Sequence, residues 1–231
     1  MSYSIESITE SIGARRMGNA PATIDWLLTD SRSLNFPEET LFFALTTKRN
    51  DGARYIADLY ARGVRNFVLS EESFRLMDNG QLTIDNAMQR DDAQSIVNYL
   101  IVPNPLKALQ KLAEQHRNRF QIPVIGITGS NGKTVVKEWL HQLLSPERAI
   151  IRSPRSYNSQ IGVPLSVWQM NEQSELAIFE AGISEPGEMR ALQNIIKPTI
   201  GILTNIGGAH QEKFLLVAGE MHGEADAFQE L

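Results

Sequence analysis

An α/β chain with parallel sheets is predicted by three features of the sequence. Short apolar runs of strand length alternate with amphipathic stretches of helical period, the pattern of a parallel sheet with helices on both faces. One apolar run, VIGIT (124–128), passes through a glycine-rich loop directly into the helical stretch 135–144. Val102-Pro103-Asn104-Pro105 then breaks the chain into two units, because prolines stop a strand and disfavour helix before them.

In the first unit, residues 1–102, Ile5, Ile8 and Ile12 fall at helical spacing after Ser4, a candidate N-cap. IDWLLT (24–29), TLFFALT (40–46), VRNFVL (64–69) and SIVNYLIV (95–102) read as strands. GARYIADLYARG (52–63) reads as a helix closed by Gly63, with Asn50 and Asp51 as the turn leading into it. In the second unit, residues 103–231, PLKALQKLAEQHRNRF (105–120) is an amphipathic helix carrying Leu106, Leu109, Leu112 and Ala113 on one face. AIIRS (149–153), LAIFEA (176–181) and TIGILTN (199–205) are further strands, separated by helices near 161–170 and 187–196. Trp139 and Trp168 fall among apolar helical positions and are expected in the core, whereas His116 and His141 are expected at the surface or satisfied locally.

The 231 residues carry a net charge of -5 and no cysteine. An acidic chain gives no support for a nucleic-acid or membrane-surface partner, and without thiols neither disulfides nor thiolate chemistry arise. Residues 1–16 lack the apolar core of a secretory signal, and no apolar run reaches the roughly 20 residues of a membrane span. A cytoplasmic protein without membrane insertion is therefore expected.

The chemistry concentrates in TGSNGKT (128–134), set between a strand and a helix. Small residues let backbone N–H groups point inward, and a following helix adds positive partial charge. A lysine reaches outer phosphates and a Ser or Thr hydroxyl serves magnesium. Gly129, Ser130, Asn131, Gly132, Lys133 and Thr134 provide these groups, which predicts binding of ATP with Mg2+. The loop is shorter than the common phosphate loop: Ile127 stands where that pattern has its first glycine. A tight strand–helix turn that merely contains Gly and Lys is the bland alternative.

At these residues the chain resembles the Mur ligases, ATP-driven peptide-bond-forming enzymes that extend the cell-wall precursor. TGSNGKT is similar to the family's shortened loop, YNSQIGVP (157–164) to its Asn-rich segment, FEAG (179–182) to the strand end bearing a magnesium-binding glutamate, and TNIGGAHQEKF (204–214) to its Asn…His segment. TDSRSLNFPEETLFFAL (29–45) and NDGARYI (50–56) resemble the uridine-nucleotide-binding domain of the branch that adds D-alanyl-D-alanine. The resemblance implies a small N-terminal UDP-precursor-binding α/β domain, then a phosphate-loop parallel-sheet ATPase domain that is incomplete.

The implied substrates are UDP-N-acetylmuramoyl-tripeptide and D-alanyl-D-alanine, joined through an acyl phosphate. Implied roles are catalysis for Lys133, Glu180 and His210, and metal binding for Thr134, Glu180 and His210. Asn205 is implied near the nucleotide, and Ser31, Arg32 and Asn158 at the substrate. Blander readings remain beside these: Glu180 as a surface carboxylate, His210 as a loop residue after two glycines, Asn158 as a turn residue, and Ser31 and Arg32 as solvated strand-end residues.

RSYNSQIGVPLSVW (155–168) is similar to forms in which the ligase is fused to an alanine racemase. The family's carbamylated lysine has no counterpart, because no lysine follows Lys213; His222 lies nearest its place and does not inherit its role. A third, C-terminal ligase domain is expected to be missing, and the chain alone to be a poor catalyst. A folylpolyglutamate-synthase-like ligase is the competing enzyme reading, and a non-catalytic nucleotide-binding module the competing reading of another class.

Overall fold

The computed structural model describes residues 1–47, 50–78, 96–182 and 188–205. It divides into two compact units, Met1–Leu112 and Ala113–Leu231.

The first unit is built on a five-stranded sheet. In chain order its elements are β1 (Tyr3–Ser4), α1 (Ile5–Ile12), β2 (Arg15–Met17), β3 (Thr23–Ile24), β4 (Trp26–Leu28), β5 (Thr40–Phe43), β6 (Thr46–Thr47), β7 (Asn50–Asp51), α2 (Ile56–Ala61), β8 (Asn66–Ser70), α3 (Glu71–Asp78) and β9 (Asn98–Val102). The sheet order is β2-β9-β8-β5-β4. Only the β2–β9 edge is antiparallel; the other pairings are parallel.

Helix α1 starts where expected: the Ser4 hydroxyl accepts from the Ser7 N–H at 3.2 Å, and Ile5, Ile8 and Ile12 are buried. The expected strand over 24–29 is broken at Asp25 into β3, which pairs with β1, and β4, which pairs with β5. The expected helix over 52–63 opens as a 3-10 turn (Gly52–Tyr55). Asp51 accepts from the Ala53 N–H at 2.9 Å, and a Cβ on Gly52 would meet the Leu45 N at 2.7 Å, so tight local contacts override the longer helical period. The expected strand over 95–102 begins only at Asn98; residue 95 lies outside the described residues. Phe42, Leu59, Phe67 and Leu69 fill the core. The buried Asn98 Nδ2 donates to Asn66 Oδ1 at 2.8 Å, and Arg16 Nε donates to Asn98 Oδ1 at 2.9 Å.

Helix α4 (Pro105–Arg117) carries the chain into the second unit. There follow β10 (Val124–Thr128), α5 (Lys133–Leu144), β11 (Ile150–Arg152), α6 (Gly162–Val167), β12 (Leu176–Glu180), α7 (Glu188–Ile196) and β13 (Ile200–Leu203). The described strands form one all-parallel sheet in the order β11-β12-β10-β13. After β10 the chain builds β11 and β12 on one side, then crosses to place β13 on the other. The carboxyl end of β10 is thus the switch point where open α/β sheets leave a crevice. Both middle strands, β10 and β12, are buried throughout, as a sheet covered on both faces requires.

Trp168 is buried as expected, but Trp139 is 63% exposed. The inward side of α5 carries Val136, Leu140 and Leu144 together with fully buried Lys137. Two residues beyond Lys137, Trp139 points about 200° around the helix and meets solvent. His116 is buried and satisfied, with Nε2 3.0 Å from the Met170 carbonyl; burial pushes its pKa down to about 4. His141 is half-buried. Among the described residues no helix is long and apolar enough to cross a membrane.

Candidate functional site

The loop after β10 is shaped by two glycines. Gly129 has φ +125° and Gly132 φ +82°, conformations that L side chains rarely adopt. At Gly129 space is also short: a Cβ would lie 2.3 Å from Thr204 Oγ1 and 2.8 Å from the Asn205 carbonyl oxygen. At Gly132 none of the described residues lies within 4 Å of such a Cβ, so among them only the backbone angle calls for glycine there. Gly132 is the N-cap of α5 and offers no side-chain acceptor. The first-turn amides of α5, at the positive end of the helix, therefore receive no capping oxygen from the N-cap side chain.

Asn205, after β13, braces the loop from the side. Its carbonyl accepts from the Ser130 N–H at 2.9 Å and its Oδ1 from the Asn131 N–H at 2.9 Å. Thr204 Oγ1 donates to the Asn131 carbonyl at 2.6 Å. Lys133 folds back along its own turn, with Nζ donating to the Gly129 carbonyl at 2.5 Å. In this position the ammonium sits over the loop, held by one acceptor among the described residues.

Glu180 ends β12 beside the loop and is fully buried. Because β10 and β12 are parallel neighbours, with Ile127 opposite Glu180, its carboxylate reaches the first turn of α5. Thr134 Oγ1 donates to Glu180 Oε2 at 3.0 Å. Glu180 Oε1 lies 2.8 Å from Lys137 Nζ, yet makes no hydrogen bond among the described residues. The distance is that of an ion pair, but the approach angle is not that of a hydrogen bond. Lys137 Nζ donates instead to the carbonyl of Ser153 at 2.8 Å and to that of Arg155. It also lies 3.3 Å from Glu138 Oε1, while Glu138 Oε2 meets Arg152 Nη2 at 3.0 Å. Burial alone would raise the Glu138 pKa, but Lys137 and Arg152 together hold it below the usual range.

Two hard oxygens of the kind magnesium takes meet here, the Thr134 hydroxyl and the Glu180 carboxylate, and among the described residues one buried carboxylate oxygen lacks a hydrogen bond. Among the described residues no group of three or more His, Cys, Asp or Glu side chains could hold a metal. Such a two-ligand site suits magnesium, which takes its remaining oxygens from phosphates and water, and does not suit zinc.

Asn158 stands next to this pair. Its carbonyl accepts from the Gly182 N–H at 2.8 Å, and a Cβ on Gly182 would come within 3.0 Å of its side-chain Cγ. The structure thus brings Gly129, Ser130, Asn131, Gly132, Lys133, Thr134, Asn158, Glu180 and Asn205 into one neighbourhood of the second unit. His210 and His222 lie outside the described residues.

Ser31 and Arg32 belong to the first unit, in a 3-10 turn (Ser31–Ser33) at the carboxyl end of β4. The Arg32 fork is spent on Asp30, with Nη2 donating to Oδ2 at 2.6 Å and Nε to Oδ1 at 2.9 Å. That hydrogen bonding holds the Asp30 carboxyl below its ordinary range. Arg62 Nη1 donates to the Ser31 carbonyl at 2.8 Å.

Sequence reasoning missed Lys137 and Ser153. The signal for Lys137 was present: a charged residue on the apolar side of α5, one turn beyond Lys133 and three residues beyond Thr134. Ser153, whose Oγ accepts from the Glu180 N–H at 3.2 Å, carries no such signal.

Residues 127–227 match the Mur ligase middle domain. Over 198 residues the chain is 33% identical to the UDP-N-acetylmuramoyl-tripeptide–D-alanyl-D-alanine ligase of Borreliella burgdorferi, covering 85% of this chain and 40% of that protein. Over 208 residues it is 30% identical to the Bacillus subtilis ligase of the same name, covering 90% and 40%. Among solved structures, MurF from Acinetobacter baumannii superposes with a TM-score of 0.76 at 24% identity, covering 93% of this chain and 43% of that one, a likeness of fold. MurF ligase from Thermotoga maritima in complex with ADP superposes at 0.62 with 27% identity, covering 80% and 38%. The chain spans about 40% of the length of the curated relatives it matches.

Proposed function

This chain belongs to the Mur ligase family, and from that premise we propose that it provides the nucleotide-holding and UDP-precursor-holding parts of an ATP-dependent ligase. That ligase joins D-alanyl-D-alanine to UDP-N-acetylmuramoyl-tripeptide. The observation that carries the reading is the meeting of Lys133, the Thr134 hydroxyl and the buried Glu180 carboxylate at the mouth of the glycine loop.

In the proposed reaction a precursor carboxylate oxygen attacks the γ-phosphorus of ATP, the bond to the bridging oxygen breaks, and ADP leaves. The amine of D-alanyl-D-alanine then attacks the acyl phosphate carbon, loses its proton, and releases phosphate. Little covalent work falls on the protein; positioning and charge compensation dominate. The first-turn amides of α5 hold the phosphates, while the Ser130 and Asn131 amides are taken by Asn205 and keep the loop in shape. Lys133, exchanging the Gly129 carbonyl for a phosphate oxygen, follows the migrating group. Thr134 and Glu180 would hold magnesium, which supplies charge neutralisation at the phosphoryl oxygens when bound. Asn158 provides a polar contact to phosphate or substrate from beside Glu180, and Asn205 keeps the loop in shape. Ser31 and Arg32 would meet the uridine diphosphate, with Arg32 trading Asp30 for phosphate. The role of His210 at a second metal rests on resemblance alone.

A cytoplasmic location follows from the proposed nucleotide-linked substrates. A C-terminal ligase domain is the proposed partner in the whole enzyme. A fused alanine racemase is proposed from the likeness of residues 155–168, and a native protein no heavier than a single ligase chain refutes it. The central test is calorimetric titration of the chain with ATP in magnesium and in EDTA. Magnesium is expected to tighten binding, and Thr134→Ala and Glu180→Ala are each expected to lower that gain at least about ten-fold. An equal affinity of wild type and both variants for magnesium–ATP rejects the site.

A further inference from the structure

We propose that Lys137 is a positioning residue for the nucleotide site: its buried ammonium sets the Glu180 carboxylate toward Thr134 and ties the segment bearing Asn158 to the same point. This rests on the reading of Thr134 and Glu180 given above.

The placement is unusual for its residue type. Lys137 is fully buried on the face of α5 that otherwise presents Val136, Leu140 and Leu144. An apolar side chain of the same length would fill that helix–sheet contact without the desolvation cost of an ammonium. What the ammonium adds is direction. It meets Glu180 Oε1 at the end of β12 at 2.8 Å, the Ser153 carbonyl just after β11 at 2.8 Å, and the Arg155 carbonyl.

The contacts close a ring. Arg155 has φ +50°, a left-handed conformation unfavourable for a residue with a Cβ, and its carbonyl is held by Lys137. That turn leads to Asn158, whose carbonyl takes the Gly182 N–H, two residues beyond Glu180. Ser153 Oγ takes the Glu180 N–H at 3.2 Å. Glu180 Oε2 takes the Thr134 hydroxyl, and Thr134 lies on the same helix as Lys137, one turn earlier. With Glu138 and Arg152 alongside, two cations and two carboxylates balance in charge. Simple neutralisation would be met by any nearby cation, whereas an ammonium pinned by the Ser153 and Arg155 carbonyls 2.8 Å from Oε1 holds that oxygen by charge and leaves Oε2 to Thr134.

The test uses the 231-residue chain, with Lys137→Met and Lys137→Arg. Arginine keeps the charge, and therefore guards against failure to fold, but its planar fork cannot reproduce the contacts of a compact ammonium. Folding is checked by circular dichroism, and ATP is titrated in EDTA and in magnesium. Affinity in EDTA is expected within about three-fold of wild type for both variants, because the glycine loop and Lys133 are untouched. The magnesium-dependent gain is expected to fall at least ten-fold in Lys137→Met and at least three-fold in Lys137→Arg. A role limited to holding the fold would lower stability without changing the ratio of the two affinities. Either folded variant keeping the full wild-type gain overturns the positioning role and leaves the proposed site standing. If Lys137→Met does not fold, Lys137→Arg alone decides. Absence of any magnesium gain in the wild type overturns the proposed site, and the positioning role with it.

Discussion

Replacing Gly129 by alanine tests the loop by pure geometry. The new Cβ would stand 2.3 Å from Thr204 Oγ1, 2.8 Å from the Asn205 carbonyl oxygen and 3.0 Å from its nitrogen. None of these atoms yields easily. Thr204 Oγ1 is engaged with the Asn131 carbonyl, and the Asn205 carbonyl with the Ser130 N–H. At φ +125° the strain of a non-glycine backbone costs about 1–3 kcal/mol, and forcing a methyl into filled space about 1–3 kcal/mol more. The expected loss is thus about 2–6 kcal/mol. Gly132→Ala is the matched control: its Cβ meets nothing within 4 Å, so only the left-handed angle counts, about 1–2 kcal/mol. Urea unfolding measures both, and calorimetric titration with ATP reports whether the loop still binds. Gly129→Ala is expected to be the less stable of the two and to weaken ATP at least about ten-fold, the loop having shifted by about 1 Å. Equal stabilities, or unchanged ATP affinity in Gly129→Ala, would show that the loop does not depend on the close approach of Thr204 and Asn205.

Lys137→Met leaves Glu180 buried without its cation and is expected to cost about 3–5 kcal/mol. Adding Glu180→Gln removes the stranded charge, so the double variant should be less destabilised than the sum by at least about 2 kcal/mol in a urea-based cycle; additivity would refute the coupling. His116, with a folded pKa of about 4 against about 6.5 unfolded, binds its proton more readily in the unfolded chain. Its contribution is present above about pH 6.5 and is lost as pH falls toward 4, with about 2 kcal/mol gone by about pH 5. His116→Gln should flatten that part of the stability–pH curve, and an unchanged slope counts against it. Gly182→Ala, whose Cβ would press on the Asn158 side chain at 3.0 Å, should weaken magnesium–ATP binding in titration while Gly132→Ala keeps its fold; full binding in Gly182→Ala would place Asn158 outside the site.

Much of the architecture was readable before folding. Ser4 and the isoleucines after it describe α1 because capping and a 3.6-residue period are local properties. TGSNGKT announced its strand–loop–helix passage because glycine angles and the helix start act within seven residues. Failures came where distant contacts outweighed local pattern. Trp139 has an apolar side chain at a helical position, yet faces solvent because the sheet claims the opposite side of α5. The stretch 24–29 reads as one strand, but two partner strands divide it at Asp25.

The sequence by itself determined which groups were available for phosphate chemistry and the elements that bear them, since these depend on residue type and near neighbours. It held no statement that Glu180 would stand 3.0 Å from Thr134, 46 residues away, nor that Lys137 would be the buried cation between helix and strand ends. Those contacts exist because β12 lies beside β10 in parallel register, with Glu180 opposite Ile127. Strand order is set by burial of the entire sheet, and only the assembled sheet brings remote polar groups to a common edge.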